Sequence, residues 1–280
     1  MTWRTSASVI LFSRATKRIL MVKRGKTAPF MPNTLVFPGG VVDKNDEKLG
    51  EADRIAAVRE LFEETGILLT KRGIVTSSDE PTLKDLQSAT SKDAGNFEKI
   101  SSELDTDGLV KFSTWLTPTR EKRRFMTSFF VSVIDDEPAV NLCQNEMSMF
   151  QWVEPQTALD AAKTGQFILP PPQVYELTRL TQIEDANKYC NEKVICPQSI
   201  DVPTEDWKLM ALPGDFLYVD ENPYDVARRS IAVDEIGLDD DKRTHHRIYF
   251  SKKPFFSNCR PVLRNIPPSF DFHNFRTGKM

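Results

Sequence analysis

Three carboxylates, Glu60, Glu63 and Glu64, stand at i, i+3 and i+4 in the run Arg59-Glu60-Leu61-Phe62-Glu63-Glu64. On a helix each residue turns by about 100°, so the three lie within one turn, with Cβ atoms about 5–6 Å apart. Alone they repel, each like-charge pair costing an isolated helix about 0.2–0.5 kcal/mol. Hard divalent cations such as Mg²⁺ prefer carboxylate oxygens, so a bound cation is one natural counterpart. The other reading of the same cluster is a solvated charged face, which many helices carry. Arg59 lies four residues before Glu63 and can hold it by a charged hydrogen bond. Elsewhere, Arg123 and Arg124 of the basic run Lys122-Arg123-Arg124 can meet phosphate through bidentate hydrogen bonds, or sit in a solvated hairpin turn. Phe30 and Phe125 can pack an adenine or acyl group, or belong to the core.

Such acids need fixed elements to hold them. From Glu51 to Thr65, Ile55, Val58 and Phe62 fall on one stripe that Leu61 widens, which predicts an amphipathic helix. Gly66 follows where a left-handed cap belongs, and Ile67-Leu68-Leu69 resumes as strand. Upstream, Leu35-Val36-Phe37 predicts a strand that ends in a tight loop at Pro38-Gly39-Gly40, where the glycines allow the backbone to approach a ligand. Ala7–Phe12 and Ile19–Arg24 predict a hairpin, and strands are expected at 109–116, 125–134 and 149–153. Helices are expected at 155–164 and beyond about Tyr175. Residues 71–108 are polar and predict a surface insertion with one short helix through Phe97, Ile100 and Leu104. After about residue 190 come a turn at Leu212-Pro213-Gly214-Asp215 and a strand at His246–Phe250, with His245-His246 expected as polar surface at its start.

The chain has 280 residues, 40 % hydrophobic and 28 % charged, which argues against disorder and against a fibrous repeat. Its 37 basic and 40 acidic residues give a net charge of −3, with no block of five or six like charges, so a general nucleic-acid-coating or membrane-coating role has no electrostatic support. The apolar stretch Ala7–Phe12 is far short of the roughly 20 residues of a spanning helix, and no signal-peptide pattern surrounds it. Cys143, Cys190, Cys196 and Cys259 form no Cys-x-x-Cys pair, and three histidines give no zinc spacing, so reduced thiols in an intracellular compartment are expected.

The run Glu51-x7-Arg59-Glu60-Leu61-x-Glu63-Glu64-x-Gly66-Ile67 resembles the Nudix box, Gly-x5-Glu-x7-Arg-Glu-U-x-Glu-Glu-x-Gly-U with U a bulky aliphatic residue. Between Gly40 and Glu51, however, stand ten residues where that pattern has five. The expansion carries Asp43, Asp46 and Glu47 and is expected to bulge out before the helix, which leaves the role of Glu51 open. Lys23-Arg24-Gly25, Phe30-Met31-Pro32, Phe37-Pro38-Gly39-Gly40, Trp115-Leu116-Thr117-Pro118, Arg124-Phe125-Met126-Thr127 and Glu146-x5-Trp152 are similar to segments of the acyl-coenzyme A diphosphatase branch, which includes a peroxisomal member and has interrupted boxes. The resemblance covers about residues 4–180, and the fuller coenzyme A signature is only partly present.

The resemblance implies an α/β fold, the Nudix α/β/α sandwich with a mixed β-sheet, over residues 1–185, and a C-terminal extension at 186–280 packing on the core. It implies metal-dependent hydrolysis of a diphosphate in coenzyme A or acyl-coenzyme A, with Mg²⁺ or Mn²⁺ as cofactor. Alternatives are a broader nucleoside diphosphate hydrolase acting on NADH or ADP-ribose, or a non-catalytic nucleotide-binding module. The family pattern makes Glu60 and Glu64 the principal metal ligands, Glu63 a third ligand or water-positioning group, and the Gly40 carbonyl a helper. Arg59 orients rather than reacts, and the general base is either a box glutamate or Glu146. Arg24, Phe30, Arg123, Arg124 and Phe125 are the candidate substrate contacts. The partner is a small-molecule nucleotide diphosphate, with neither nucleic acid nor membrane expected. A peroxisomal location is implied by the branch, while Gly278-Lys279-Met280 departs from the Ser-Lys-Leu signal at its first residue.

Overall fold

Ala7, Val9 and Leu11 alternate along a strand and so share one face, while Ile55, Val58, Leu61 and Phe62 recur at helical spacing. In the computed structural model these two stripes meet in one buried cluster. The structure describes residues 2–28, 30–119, 121–181, 194–238, 242–253 and 256–266, in two compact units.

One unit comprises Arg4–Phe112 and Thr127–Glu154. Its elements run β1 (Arg4–Ser13), β2 (Ile19–Arg24), β3 (Leu35–Val36), β4 (Gly39–Val41), α1 (Asp46–Leu49), α2 (Ala52–Thr65), β5 (Ile67–Thr70), β6 (Gly73–Thr76), α3 (Pro81–Thr90), a 3₁₀ segment (Ala94–Glu103), β7 (Val110–Leu116), β8 (Phe125–Ile134) and β9 (Met147–Val153). The ends of β7 and β8 beyond Phe112 and before Thr127 are counted with the other unit. The strand order is β7-β8-β1-β2-β3. Off this path, β4 pairs antiparallel with β1 through Ala7↔Gly40, and β9 pairs antiparallel with β2 from Ile19↔Val153 to Arg24↔Met147. β5 and β6 form a separate antiparallel ribbon.

The helix α2 ends as its sequence predicts. Gly66 has φ 72°, and its N–H donates to the Phe62 carbonyl at 2.8 Å. A Cβ at this position would run into the Ser77 hydroxyl, so glycine is required by space as well as by φ.

The polar insertion differs from the expectation of a surface excursion. Leu83, Phe97 and Leu104 point inward and join the cluster around α2, with Phe97 0 % exposed and its ring 6.1 Å from that of Phe62. The helix α3 was not expected, because its few apolar residues make a thin periodic signal. The local sign that does mark it is Pro81 at its first turn.

The second unit comprises Met1–Trp3, Ser113–Met126 and Pro155–Met280. It contains α4 (Pro155–Lys163), α5 (Pro171–Leu180), β10 (Val194–Ile195), β11 (Gln198–Asp201), β12 (Trp207–Ala211), β13 (Arg229–Ser230), a 3₁₀ turn (Val233–Ile236), β14 (His245–Ser251) and β15 (Arg260–Arg264). Five of its strands form a mixed sheet in the order β13-β11-β12-β14-β15, around a core of Ile200, Val202, Leu209, Ala211, Ile236 and Tyr249.

The packing therefore does not divide near residue 185, since α4 and α5 are counted with the tail. Tyr175 on α5 explains this in part, because its hydroxyl lies 2.8 Å from His246 Nε2 on β14. On the same helix Glu176 accepts hydrogen bonds from Ser113 Oγ at 2.6 Å and Trp115 Nε1 at 2.7 Å. The expected polar surface at His245-His246 is likewise corrected: both rings are buried, and His246 Nδ1 lies 2.7 Å from the Pro213 carbonyl. β14 is flanked by β12 and β15, so its start is interior.

Cys143, Cys196 and Cys259 are free thiols, and no helix among the described residues is long and apolar enough to cross a membrane. Cys190, His273 and Gly278-Lys279-Met280 lie outside the described residues.

Because Phe97 sits in the α2 cluster, Phe97→Ala should destabilise this unit by about 3–5 kcal/mol in urea unfolding. A loss under about 1 kcal/mol would mean the insertion is only a surface attachment.

Candidate metal and catalytic centre

Arg59 sits buried among four carboxylate and carbonyl partners, and every one of its five N–H groups is used. Nε donates to Asp46 Oδ1 at 2.9 Å and Nη2 to Asp46 Oδ2 at 3.0 Å, a two-pronged grip. Nη2 also donates to the Val41 carbonyl at 2.9 Å. Nη1 donates to Glu60 Oε1 at 2.9 Å and to Glu63 Oε1 at 2.8 Å. Burial alone would lower the Arg59 pKa, but the hydrogen bonds of Asp46 and the charges of Glu60, Asp46 and Glu63 outweigh it and hold it above its ordinary value.

The acids show the opposite strain. Burial raises the pKa of Glu60, against the pull of Arg59. Burial and the Glu60 charge push Glu63 up to about 7, again despite Arg59. Burial and the Glu60 charge raise Glu64 well above its ordinary value, although the Gly39 N–H and the Arg24 charge oppose this. Burial, more than mutual repulsion, thus disfavours the ionised form of all three acids, and one guanidinium does not offset it.

The glycines before the box form β4 and not the expected loop. Gly39 N–H donates to Glu64 Oε2 at 3.1 Å, and the Glu60 carboxylate lies so close over Gly40 that a Cβ there would overlap it. Gly40 is therefore needed for side-chain clearance, while its backbone pairs with Ala7.

The far end of α2 is capped from two distant segments. Gln87 Nε2 donates to the Glu63 carbonyl at 3.0 Å and to the Asn141 carbonyl at 2.8 Å. The backbone N–H of Asn141 donates to Thr65 O at 2.8 Å, and that of Cys143 to Glu64 O at 2.9 Å. These bonds satisfy carbonyls that a helix end leaves open, and they tie the loop that runs on to Glu146 to the acid-bearing helix. Glu146 is exposed, its carbonyl accepts the Gly25 N–H at 2.9 Å, and its charge raises the pKa of Glu60, Glu63 and Glu64.

The sequence-predicted residues separate into groups. Arg59 joins Glu60 and Glu63, with Gly40 against the Glu60 carboxylate; Glu64 is held on the Gly39 N–H, and the charge of Glu146 acts on all three glutamates. Arg24 and Phe30 are half-buried in the same unit, joined by a hydrogen bond from Arg24 Nε to the Phe30 carbonyl at 3.1 Å. Arg123, Arg124 and Phe125 belong to the other unit. Arg123 is exposed and Phe125 half-buried. Arg124 is 6 % exposed, and its guanidinium donates to the Thr117 carbonyl at 2.9 Å and the Tyr224 carbonyl at 2.8 Å, so it braces its own unit and is neither in a solvated turn nor open to phosphate. Asp46, Gln87 and Asn141 were not picked out from sequence; Asp46 stood in view as an acid of the box expansion, whereas nothing local marks the other two. The expansion does not bulge out as expected: it folds as α1 and buries Asp46 against Arg59.

A divalent cation fits this donor set by charge and by ligand type, since the surplus is negative and the donors are carboxylate oxygens. Among the described residues no three acid, histidine or cysteine side chains converge on one point. Arg59 draws Glu60 and Glu63 to one side, while Gly39 holds Glu64.

Family models match at both ends of this region: one described as the NUDT19 Nudix domain over residues 49–180, and one described as the NUDIX domain over residues 2–92. A protein named "Putative nudix hydrolase 7" from Caenorhabditis elegans is 46 % identical, covering 98 % of this chain and 95 % of its own. A Xenopus laevis protein named acyl-coenzyme A diphosphatase NUDT19 is 26 % identical over 89 % of this chain and 85 % of its own. Among solved structures, a NUDIX hydrolase from Alicyclobacillus acidocaldarius matches with TM-score 0.56 and 26 % identity, over 65 % of this chain and 93 % of that one.

The raised carboxylates set a pH dependence for the metal-free chain. With Glu63 moved from 4.5 to about 7, its contribution to stability is full below 4.5 and is lost as the pH rises through about 7. The melting temperature of metal-free protein should therefore fall between about pH 5 and pH 8, and Glu63→Gln should flatten that fall. A melting temperature that climbs across the same window would show that the carboxylates ionise without strain.

Proposed function

The chain belongs to the Nudix hydrolase family and is a diphosphatase of that family, and on this premise we propose that it cleaves coenzyme A or acyl-coenzyme A at the diphosphate. The products are (acyl-)phosphopantetheine and adenosine 3′,5′-bisphosphate. Enzymes of this family act on small-molecule nucleotide substrates and generally use divalent metal ions. The observation that carries the reading is the buried turn of α2 on which Arg59 holds Glu60 and Glu63 while Gly39 holds Glu64, in a chain that aligns along most of its length with an acyl-coenzyme A diphosphatase.

Glu60 and Glu64 would hold Mg²⁺ or Mn²⁺, with Glu63 as third ligand or water-positioning group and the Gly40 carbonyl as helper. A cation bound there would offset charge on the diphosphate oxygens and lower the pKa of the attacking water. Arg59 fixes the directions of Glu60 and Glu63 and takes no part in bond making. The proton of the attacking water passes, as the water oxygen bonds to phosphorus, to a base that is either a box glutamate or Glu146, which is exposed and whose charge acts on those acids. The bridging P–O bond breaks, and its oxygen leaves on the second phosphate. Arg24, whose charge acts on Glu64 and whose Nε is bonded to the Phe30 carbonyl, would meet the diphosphate, with Phe30 as an apolar contact. Three mutually repelling buried acids are of no use to a module that only binds nucleotide.

A panel of coenzyme A, acyl-coenzyme A species, NADH and ADP-ribose tests the substrate. Cleavage of the coenzyme A compounds is expected to be fastest; fast turnover of NADH or ADP-ribose with none of coenzyme A would replace this reading with the broader hydrolase. Glu64→Gln should lower turnover by more than about 100-fold, since even outer partners of metal ligands are worth about 10–100-fold. Turnover that survives this change removes Glu64 from the ligand set.

A further inference from the structure

Arg59 could be held in two ways: by Glu51, the acid at the usual place in the box, or by an acid from the expansion. The structure separates them. The Glu51 side chain is 75 % exposed, and its carboxylate pairs with Arg54 at 2.8 Å. Asp46 is 1 % exposed and accepts from both Nε and Nη2 of Arg59. Its own direction is fixed as well, because Oδ2 accepts the backbone N–H of Asp43 at 2.7 Å, within the turn that starts α1. With Nη2 further engaged by the Val41 carbonyl, only Nη1 is left for Glu60 and Glu63, and it takes one oxygen, Oε1, from each.

We propose that Asp46, brought in by the box expansion, is the positioning residue of the centre: it anchors Arg59 so that the guanidinium steers Glu60 and Glu63 without occupying both oxygens of either. This rests on the reading of Glu60, Glu63 and Glu64 as cation-holding groups. Without the anchor, the Arg59 fork turns onto the glutamates and competes with the cation for the same carboxylates. The extra residues between Gly40 and the helix are then a working part of the site, and Glu51 is released to the surface.

The test is Mn²⁺ binding to full-length protein without substrate, read as free Mn²⁺ by electron paramagnetic resonance, beside kcat and KM. Asp46→Asn should weaken Mn²⁺ binding by about tenfold or more and lower kcat more than it changes KM, whereas Glu51→Gln should stay within about twofold of wild type in both. Asp46→Glu, which keeps the carboxylate, should recover part of the loss. Wild-type Mn²⁺ affinity in folded Asp46→Asn protein overturns the proposal, as does a tenfold loss in Glu51→Gln. Should Asp46→Asn not fold, by circular dichroism, the decision passes to the other two variants: Asp46→Glu must bind Mn²⁺ more weakly than Glu51→Gln, and the reverse order overturns it. A wild-type chain that binds no Mn²⁺ instead removes the metal reading on which the proposal rests.

Discussion

The buried guanidinium of Arg59 is the contact on which the candidate site depends. Gathering several carboxylates in a low-dielectric interior is costly, and one positive charge with five directed donors makes it tolerable. Because each donor has its own acceptor, Arg59 compensates charge and also sets angles: Asp46 and Val41 on one side, Glu60 and Glu63 on the other. The compensation is incomplete. Burial first, and the neighbouring carboxylates after it, still raise the pKa of Glu60, Glu63 and Glu64, and a cation held by their oxygens would favour the ionised form.

Around this charge the scaffold supplies clearance and fixed ends. Gly40 leaves room for the Glu60 carboxylate, and Gly39 offers its N–H to Glu64. The C-terminal carbonyls of α2 are taken by Gln87, Asn141 and Cys143, so the acid-bearing helix and the Glu146 loop hold their positions together. Gln87 lies on α3 inside the polar insertion, so that insertion contributes to the site as well as to the core.

Much of this was legible in the residues. The spacing of Glu60, Glu63 and Glu64, the stripe of Ile55, Val58 and Phe62, and the glycine at 66 are all local, within a turn or two of chain, and the helix came out at Ala52–Thr65. The resemblance of the same run to the Nudix box matched the family later shown by its relatives. Burial is the quantity that local sequence does not carry. The polar stretches at 71–108 and at His245-His246 and the acidic expansion all read locally as surface. In each case a few groups, Phe97, His246 and Asp46, have partners far away in sequence that make the interior tolerable.

The sequence by itself determined which acids share a helix turn and which glycines flank them, because helical periodicity and chain adjacency need no third dimension. Only the tertiary structure decided that Asp46 and not Glu51 grips Arg59, that Gln87 and Asn141 close the helix, and that Arg124 is locked to carbonyls of its own unit. Those outcomes turn on which distant segments meet in a water-poor interior, where an unpartnered charge or amide is costly and each donor must find a specific acceptor.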